Sequence, residues 1–345
     1  MIYEYANQLV ARGHVVTVVH SRAIWHMKRP LHRTLYYWII AKFRQLCNWS
    51  ITVEVPWYKI DSRVRMIAVP EFRTSYIPDG DAIFQTLAAG KFPKEKGMEF
   101  VLMQGYKQWP KDPTKMDDIL KSPMFKIAVS KWLYKEGLKL GVPEDEITYI
   151  PNGIDLLQHR LLQSIEHRPP RVAMMYDTRA IKGSGDGISA LQLTRKSFPA
   201  LEATLFGIVP RPKWLPGWIE YSCDPPREEL VGSIYNGSSI FLCPSWVEGF
   251  GLPPAEAMAC GCAVVSTDSG GVLDFAEHEV IALLSPPKNP TALAENLLRL
   301  LEDDGLRIKL AKAGHERIQE FTWERSTDLL ERFIMDKIGW PGARE

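Results

Sequence analysis

Short apolar runs alternate with helically periodic segments along most of this chain. Residues 15–20, 64–69, 100–103, 126–129 and 147–150 read as buried strands, and 131–140 as a helix. The second half keeps a clearer rhythm. Strands are predicted at 171–176, 203–206, 240–243, 263–266 and 281–284, with helices at 188–198, 227–235, 254–259 and 290–302. Strands that alternate with helices imply parallel, doubly wound sheets. The expectation is an α/β protein of two such lobes, about 1–150 and 151–322, facing across a cleft and joined near residues 151–170. Residues 2–14 open the chain as an amphipathic helix ended by Gly13.

Composition narrows this picture. The length of 345 residues fits two domains, and 46% hydrophobic residues can fill two cores. A net charge of +1 argues against bulk binding of nucleic acid. The five cysteines (Cys47, Cys223, Cys243, Cys260 and Cys262) are odd in number and scattered. They read as reduced thiols of a cytosolic protein, and Cys260 and Cys262 as buried core in preference to a metal pair. The eight histidines show no metal spacing. No signal peptide opens the chain, and no apolar run is long enough to span a bilayer.

The most informative stretch lies between the strand at 240–243 and the helix at 254–259. It is a glycine-bearing loop framed by two glutamates, Glu248 and Glu256, with seven residues between them. Ligands of open α/β sheets bind at the carboxyl ends of strands, where such a loop sits. Pro253 or Pro254 suits a first helical position, which has no use for the N–H that proline lacks. The helix start then offers free N–H groups and a positive dipole end to a phosphate. Glu256 is expected in the first turn, where the same dipole favours a carboxylate able to accept hydrogen bonds from a ribose diol.

The run Glu248-Gly-Phe-Gly-Leu-Pro-Pro-Ala-Glu256-Ala-Met-Ala-Cys-Gly resembles the signature of retaining glycosyltransferases of family 4, which have the GT-B fold. Pro151-Asn152-Gly153-Ile154-Asp155, Lys182-Gly183, Thr267-Asp268-Ser269-Gly270-Gly271-Val272 and Phe321-Thr322-Trp323-Glu324 follow the family in the same order. The similarity is strong from about 126 to 335 and weaker before it. By this resemblance Lys182 binds the donor phosphates, Glu248 contacts the donor sugar near the reacting carbon, and Glu256 holds the ribose hydroxyls. Backbone N–H groups of Phe250, Gly251 and Leu252 cradle sugar or phosphate. Gly183 completes the lysine motif, and Gly270 and Gly271 form a turn near the sugar, with a purely structural cap as the alternative. Asn152 and Gly153 match the inter-lobe hinge, and Asp155 is structural. The last helical stretch, from about 323 to 345, is expected to cross back onto the first lobe. No metal or cofactor is expected; the nucleoside-diphosphate sugar is the substrate.

Three departures from the family stand out. The arginine that normally precedes the lysine by five residues is Asp177 here, and Arg179 is the candidate substitute. Many relatives carry a first-lobe histidine near the donor sugar; the matching loop, 103–106, offers only Gln104, which can orient a hydroxyl but cannot act as a base. Finally, the family's first helix follows a strand and a glycine-rich loop, and neither precedes the helix at residues 2–14. Since that strand is central in a doubly wound sheet, its absence would leave its neighbours unpaired. Either the true start lies upstream, which is the expectation, or the first lobe is remodelled.

Between Glu4 and Glu54 there is no acidic residue, while Arg22, Lys28, Arg29, Arg33, Lys42 and Arg44 interleave with Trp25, Tyr36, Tyr37, Trp38, Phe43 and Trp49. Residues 22–49 therefore read either as a surface for an anionic membrane or as acceptor-side helices with buried aromatics. The resemblance implies a nucleotide-sugar donor and a glycan or lipid-linked acceptor in cell-surface polysaccharide synthesis, at the cytoplasmic side. The alternatives are a nucleotide-sugar-binding protein without activity, and a GT-B epimerase. Glu248, Glu256 and the Lys182-Gly183 pair favour transfer over epimerisation.

Overall fold

The computed structural model describes residues 1–21, 53, 55, 58–70, 72–86, 96–106, 117, 118 and 120–340. The basic aromatic stretch 22–49, with Cys47, lies outside the described residues.

The first lobe opens with α1 (Ile2–Ala11), which buries Tyr5, Ala6 and Val10. Strand β1 (Thr17–Ser21) pairs in parallel with β2 (Arg65–Val69). A second sheet holds β3 (Ala82–Thr86), β4 (Met98–Met103), β5 (Phe125–Ala128) and β6 (Ile147–Tyr149), all parallel and in sequence order. Among the described residues no strand pairing joins the two sheets. Helix α2 (Lys131–Lys139) starts where Ser130 caps it, its hydroxyl accepting from the Leu133 N–H at 3.3 Å.

The second lobe is one continuous parallel sheet in the order β12-β11-β10-β7-β8-β9. Its strands are β7 (Arg171–Met175), β8 (Glu202–Gly207), β9 (Ile219–Cys223), β10 (Ile240–Cys243), β11 (Ala263–Thr267) and β12 (Leu283–Ser285). Central β10 and β11 are buried at every position, as strands covered on both faces must be. Helices α3 (Ser184–Ser197), α4 (Leu252–Ala259), α5 (Pro290–Glu302) and α6 (Asp304–Ile318) cover the sheet. The predicted helix at 227–235 is a short α-turn, Arg227–Glu229, running into a π-wound turn, Leu230–Tyr235.

Three elements were not anticipated. Strands β3 and β9 lie at sheet edges with mostly half-exposed residues, so neither shows a continuous apolar run. Helix α6 presents a weak apolar stripe because it buries Arg307, Ala311 and Gly314 beside Leu310 and Ile318. Helix α4 also begins earlier than predicted, at Leu252, with Gly251 (φ 97°) as its cap. Glu256 is therefore the fifth helical residue and not part of the first turn as predicted.

The chain crosses between lobes twice, and the crossings touch. Ile154 bridges Thr322, and a Cβ on Gly153 would collide with the backbone of Trp323. Ser326 donates to the Pro151 carbonyl at 2.7 Å. The closing helix α7 (Trp323–Ile338) then returns to the first lobe. Trp323 meets Tyr5 edge-on, Phe333 lies 5.9 Å from both Phe100 and Phe125, and Arg12 bonds Asp328 and Glu331.

Candidate active site

The site forms at the carboxyl ends of β7 and β10. After β7 the chain makes a tight turn, Ala180–Lys182, closed by Gly183 in the left-handed conformation (φ 61°). Glycine is required there twice over, since a Cβ would also strike the Pro244 carbonyl at the end of β10. The Trp246 N–H donates to the Ile181 carbonyl at 2.7 Å, tying the lysine turn to the glutamate loop. Lys182 consequently reaches Glu248, its Nζ 2.7 and 2.9 Å from the two carboxylate oxygens. Both side chains are largely buried, 14% and 9% exposed, so the pair is held away from bulk water.

Asp177 and Arg179 form a second pair beside the first. Arg179 Nη2 lies 2.6 Å from Asp177 Oδ2, and its Nε bonds both carboxylate oxygens. Donating to the Asp177 carboxylate raises the Arg179 pKa. Burial pushes the Asp177 carboxyl up, but the bonds from Arg179 and the charges of Arg179 and Lys182 bring it below its ordinary value. Four charges thus cancel within one rim. Asp177, at the position where the resemblance implies an arginine, occupies the only guanidinium among the candidate residues, and Arg179 remains half exposed.

The loop carrying Glu248 is fixed from several sides. The Glu248 N–H donates to the Ser269 carbonyl at 2.7 Å, and the Gly271 N–H donates to the Glu248 carbonyl at 3.1 Å. Phe250 is buried against Phe275 and Phe321, anchoring the loop immediately before Gly251 and Leu252 open α4. The first N–H groups of that helix have no carbonyl of their own turn to bond. Gly271 lies so close to Gly249 and Phe250 that a Cβ would overlap their backbone. Gly270 (φ 82°) starts the turn Gly271–Asp274 and lies under the indole of Trp132.

Glu256 lies apart from this ion-pair cluster. Its carboxylate accepts from the buried Tyr235 hydroxyl at 3.1 Å, and His159 Nε2 stands 3.8 Å away. Burial and the neighbouring Glu256 charge raise Tyr235 far above its ordinary pKa, so it is a permanent donor. Neither Tyr235 nor His159 belongs to a motif. Tyr235 was legible only as a helical residue, and His159 sits four residues after the hinge aspartate, whose carbonyl lies 3.2 Å from its Nδ1.

The first lobe closes over the loop. A Cβ on Gly249 would overlap the Gln104 carbonyl, so Gln104 reaches the site by its backbone while its side chain is exposed. Asp274 of the second lobe accepts from the Lys131 N–H at 3.0 Å, capping α2 across the cleft. Among the described residues no group of three His, Cys, Asp or Glu is arranged for a metal ion. Cys260 and Cys262 are buried, and burial pushes the Cys262 thiol to about 12. No helix among the described residues is long and apolar enough to cross a membrane.

Residues 225–317 match the model of the family described as "Glycosyl transferases group 1". A D-inositol 3-phosphate glycosyltransferase of Salinispora tropica is 31% identical over 173 residues, 50% of this chain and 33% of that protein. The matched segment thus spans about a third of that curated relative. Sucrose-phosphate synthase from Thermosynechococcus elongatus superposes with a TM-score of 0.72 at 18% identity, covering 98% of this chain and 92% of that one. A glycosyltransferase from Rickettsia africae covers 98% and 94% with a TM-score of 0.64 at 16% identity. The chain has the GT-B architecture: two Rossmann-like lobes facing a cleft.

Proposed function

We propose that this protein is a retaining glycosyltransferase that moves a sugar from a nucleoside-diphosphate sugar to a glycan or lipid-linked acceptor in cell-surface polysaccharide synthesis. The observation that carries this reading is the buried contact of Lys182 with Glu248, joined to the start of α4 at the ends of β7 and β10. An ammonium has three donors; two go to Glu248, which leaves one N–H and the charge for a diphosphate.

In this reading the bond between the sugar's anomeric carbon and the diphosphate oxygen breaks while the acceptor hydroxyl bonds to the same face of that carbon. The acceptor's proton passes to the departing phosphate oxygen, so no side-chain base is needed. Lys182 and the N–H groups at Phe250, Gly251 and Leu252 stabilise the charge on the leaving group. Glu248, held rigid by Lys182, faces the positive character that develops on the sugar ring. Glu256, held by Tyr235, receives the ribose diol.

A second reading, nucleotide-sugar binding without transfer, draws support from Asp177 and its hold on Arg179. A thermal-shift titration with UDP, GDP, ADP and dTDP selects the nucleotide, because a ligand of the folded state alone raises stability with concentration. Labelled sugar carried from the matching donor to an acceptor extract is then the expected outcome. A thermal shift without any product would leave the binding reading in place of transfer. The donor's cytoplasmic origin and docking of residues 22–49 on an anionic membrane belong to the same proposal. Salt-sensitive co-sedimentation with anionic liposomes tests the docking.

A further inference from the structure

A hollow of about 420 Å³ opens beside the glutamate loop; Gly270 of the turn expected near the donor sugar lines it, and Glu248, Lys182 and Gly183 do not. Its walls come from both lobes. The first lobe supplies Lys131, Trp132 and Lys135 from α2; the second supplies Trp246, Asp268 and Leu273. Leu273 is 49% exposed although it is a large apolar side chain beside two indoles. The hollow shares Asp268 and Leu273 with a neighbouring one of about 670 Å³, so the two form a single groove along the second-lobe rim.

The two tryptophans are held in place from behind. Trp246 Nε1 donates to Asp186 at 2.7 Å, and Lys288 Nζ lies 4.4 Å from the ring centre. Trp132 packs on Gly270, whose left-handed backbone leaves no room for a side chain between them. Lys131 and Lys135 lie one turn apart on α2, and neither ammonium has an ion-pair partner among the described residues. The Asp274 carboxylate is already committed to the Lys131 N–H and to Tyr149. Asp274 also lines the hollow but is 5% exposed, and its charge faces both Lys131 and Arg317; the exposed charges at the rim are the two ammoniums and the Asp268 carboxylate.

We infer that this hollow is the acceptor subsite and that it takes a sugar unit bearing an anionic group. The inference rests on the transferase reading. The apolar C–H face of a pyranose suits an indole wall, Asp268 can accept from hydroxyls, and Lys131 with Lys135 selects a carboxylate or a phosphate. Trp246 stands two residues before Glu248, and the Ser269 carbonyl is bonded to the Glu248 N–H, so a sugar seated here lies beside the reacting centre. The continuing groove fits an acceptor longer than one unit.

The test is a titration of the full chain, labelled at the indole nitrogens, with methyl glucuronide, methyl glucoside 6-phosphate and methyl glucoside at millimolar concentrations. Trp132→Phe and Trp246→Phe assign the two signals. Either acidic probe is expected to move both signals and to bind about tenfold tighter than the neutral one, a difference of about 1.4 kcal/mol. The tighter acidic probe identifies carboxylate or phosphate as the group selected. Lys131→Glu/Lys135→Glu, both at exposed helix positions, should lose about tenfold in affinity for the acidic probe while its thermal response to nucleotide persists. Equal binding of methyl glucoside, unmoved Trp132 and Trp246 signals, or undiminished affinity in the double variant would overturn the inference. An acidic sugar seated in a chain that responds to no nucleotide would instead leave the sugar site standing and sink the transferase reading.

Discussion

The two lobes share one plan and differ in how they are held together. The second lobe is a single six-stranded sheet, and one of its cores is built from its own residues alone, from Val172 and Leu191 to Leu297 and Leu310. The described strands of the first lobe lie in two sheets, and its main core is continuous with second-lobe residues such as Phe250, Phe275 and Phe321 and with Trp323 and Leu330 of the closing stretch. The ion-pair cluster proposed to bind donor sits at the ends of β7 and β10, whose Val172, Met174, Ile240 and Leu242 pack into the second lobe's own core, while its loop is anchored by Phe250 in the shared one. The first-lobe wall of the cleft depends on α7 for its place. Chemistry and lobe attachment should therefore fail separately.

The largest effect is expected in the second lobe. Lys182→Ala leaves Glu248 buried without its cation and removes the charge proposed to meet the leaving diphosphate. Loss of one such group costs on the order of a hundred- to a thousandfold in transfer rate. A labelled-donor assay with a melting curve reads both consequences. Activity within tenfold of the parent chain would remove Lys182 from the chemistry.

The opposite failure comes from Leu330→Ala in α7. Leu330 is 1% exposed, and truncating a buried leucine costs about 2–5 kcal/mol. Hydrogen exchange should accelerate first in α1 and β1 to β6, while β7 to β12 keep their protection. Uniform acceleration across both lobes would mean that they unfold as one unit and that the contrast drawn between them is false.

A smaller change separates the two glutamates. Tyr235→Phe removes the hydroxyl that orients Glu256, a loss of about 1 kcal/mol, or roughly fivefold in nucleotide affinity by calorimetric titration. The transfer rate at saturating donor should hold, since Lys182 and Glu248 are untouched. Unchanged affinity would detach Glu256 from nucleotide binding.

Most second-lobe strands were legible because they are continuous apolar runs, and β10 was delimited to the residue. The edge strands β3 and β9 and helix α6 were not, since half-exposed positions and a buried arginine erase the periodic signal. At the site, Glu248, Lys182 and Gly183 stood out as motif residues. The partners did not stand out. Tyr235 precedes Glu256 by 21 residues and Lys131 precedes Asp274 by 143, and such pairings exist only once the sheets are wound. Helix polarity misled for Glu256, because the chain turns helical at Leu252, ahead of both prolines.

The mildest probe acts on the seam between α1 and α7. Glu331 receives hydrogen bonds from Arg12 at 2.8 Å and from His14 at 2.5 Å. Burial pushes the Glu331 carboxyl up, but these bonds and charges outweigh it and hold the pKa below the ordinary value. A carboxyl depressed in the folded state adds stability that is complete above its unfolded pKa, about 4.3 for glutamate, and is lost as pH falls through the folded value. Melting temperature should therefore drop on acidification below about pH 4.5, with Glu331→Gln showing a shallower drop. For a partly exposed pair the difference is several tenths of a kcal/mol, and salt should shrink it. Hydrogen exchange tells where the loss occurs. If acid loosens α1 and α7 ahead of the second lobe, the seam is the weak attachment that the split first-lobe sheet implies. If the second lobe loosens first, the closing helix is not what holds the first lobe in place.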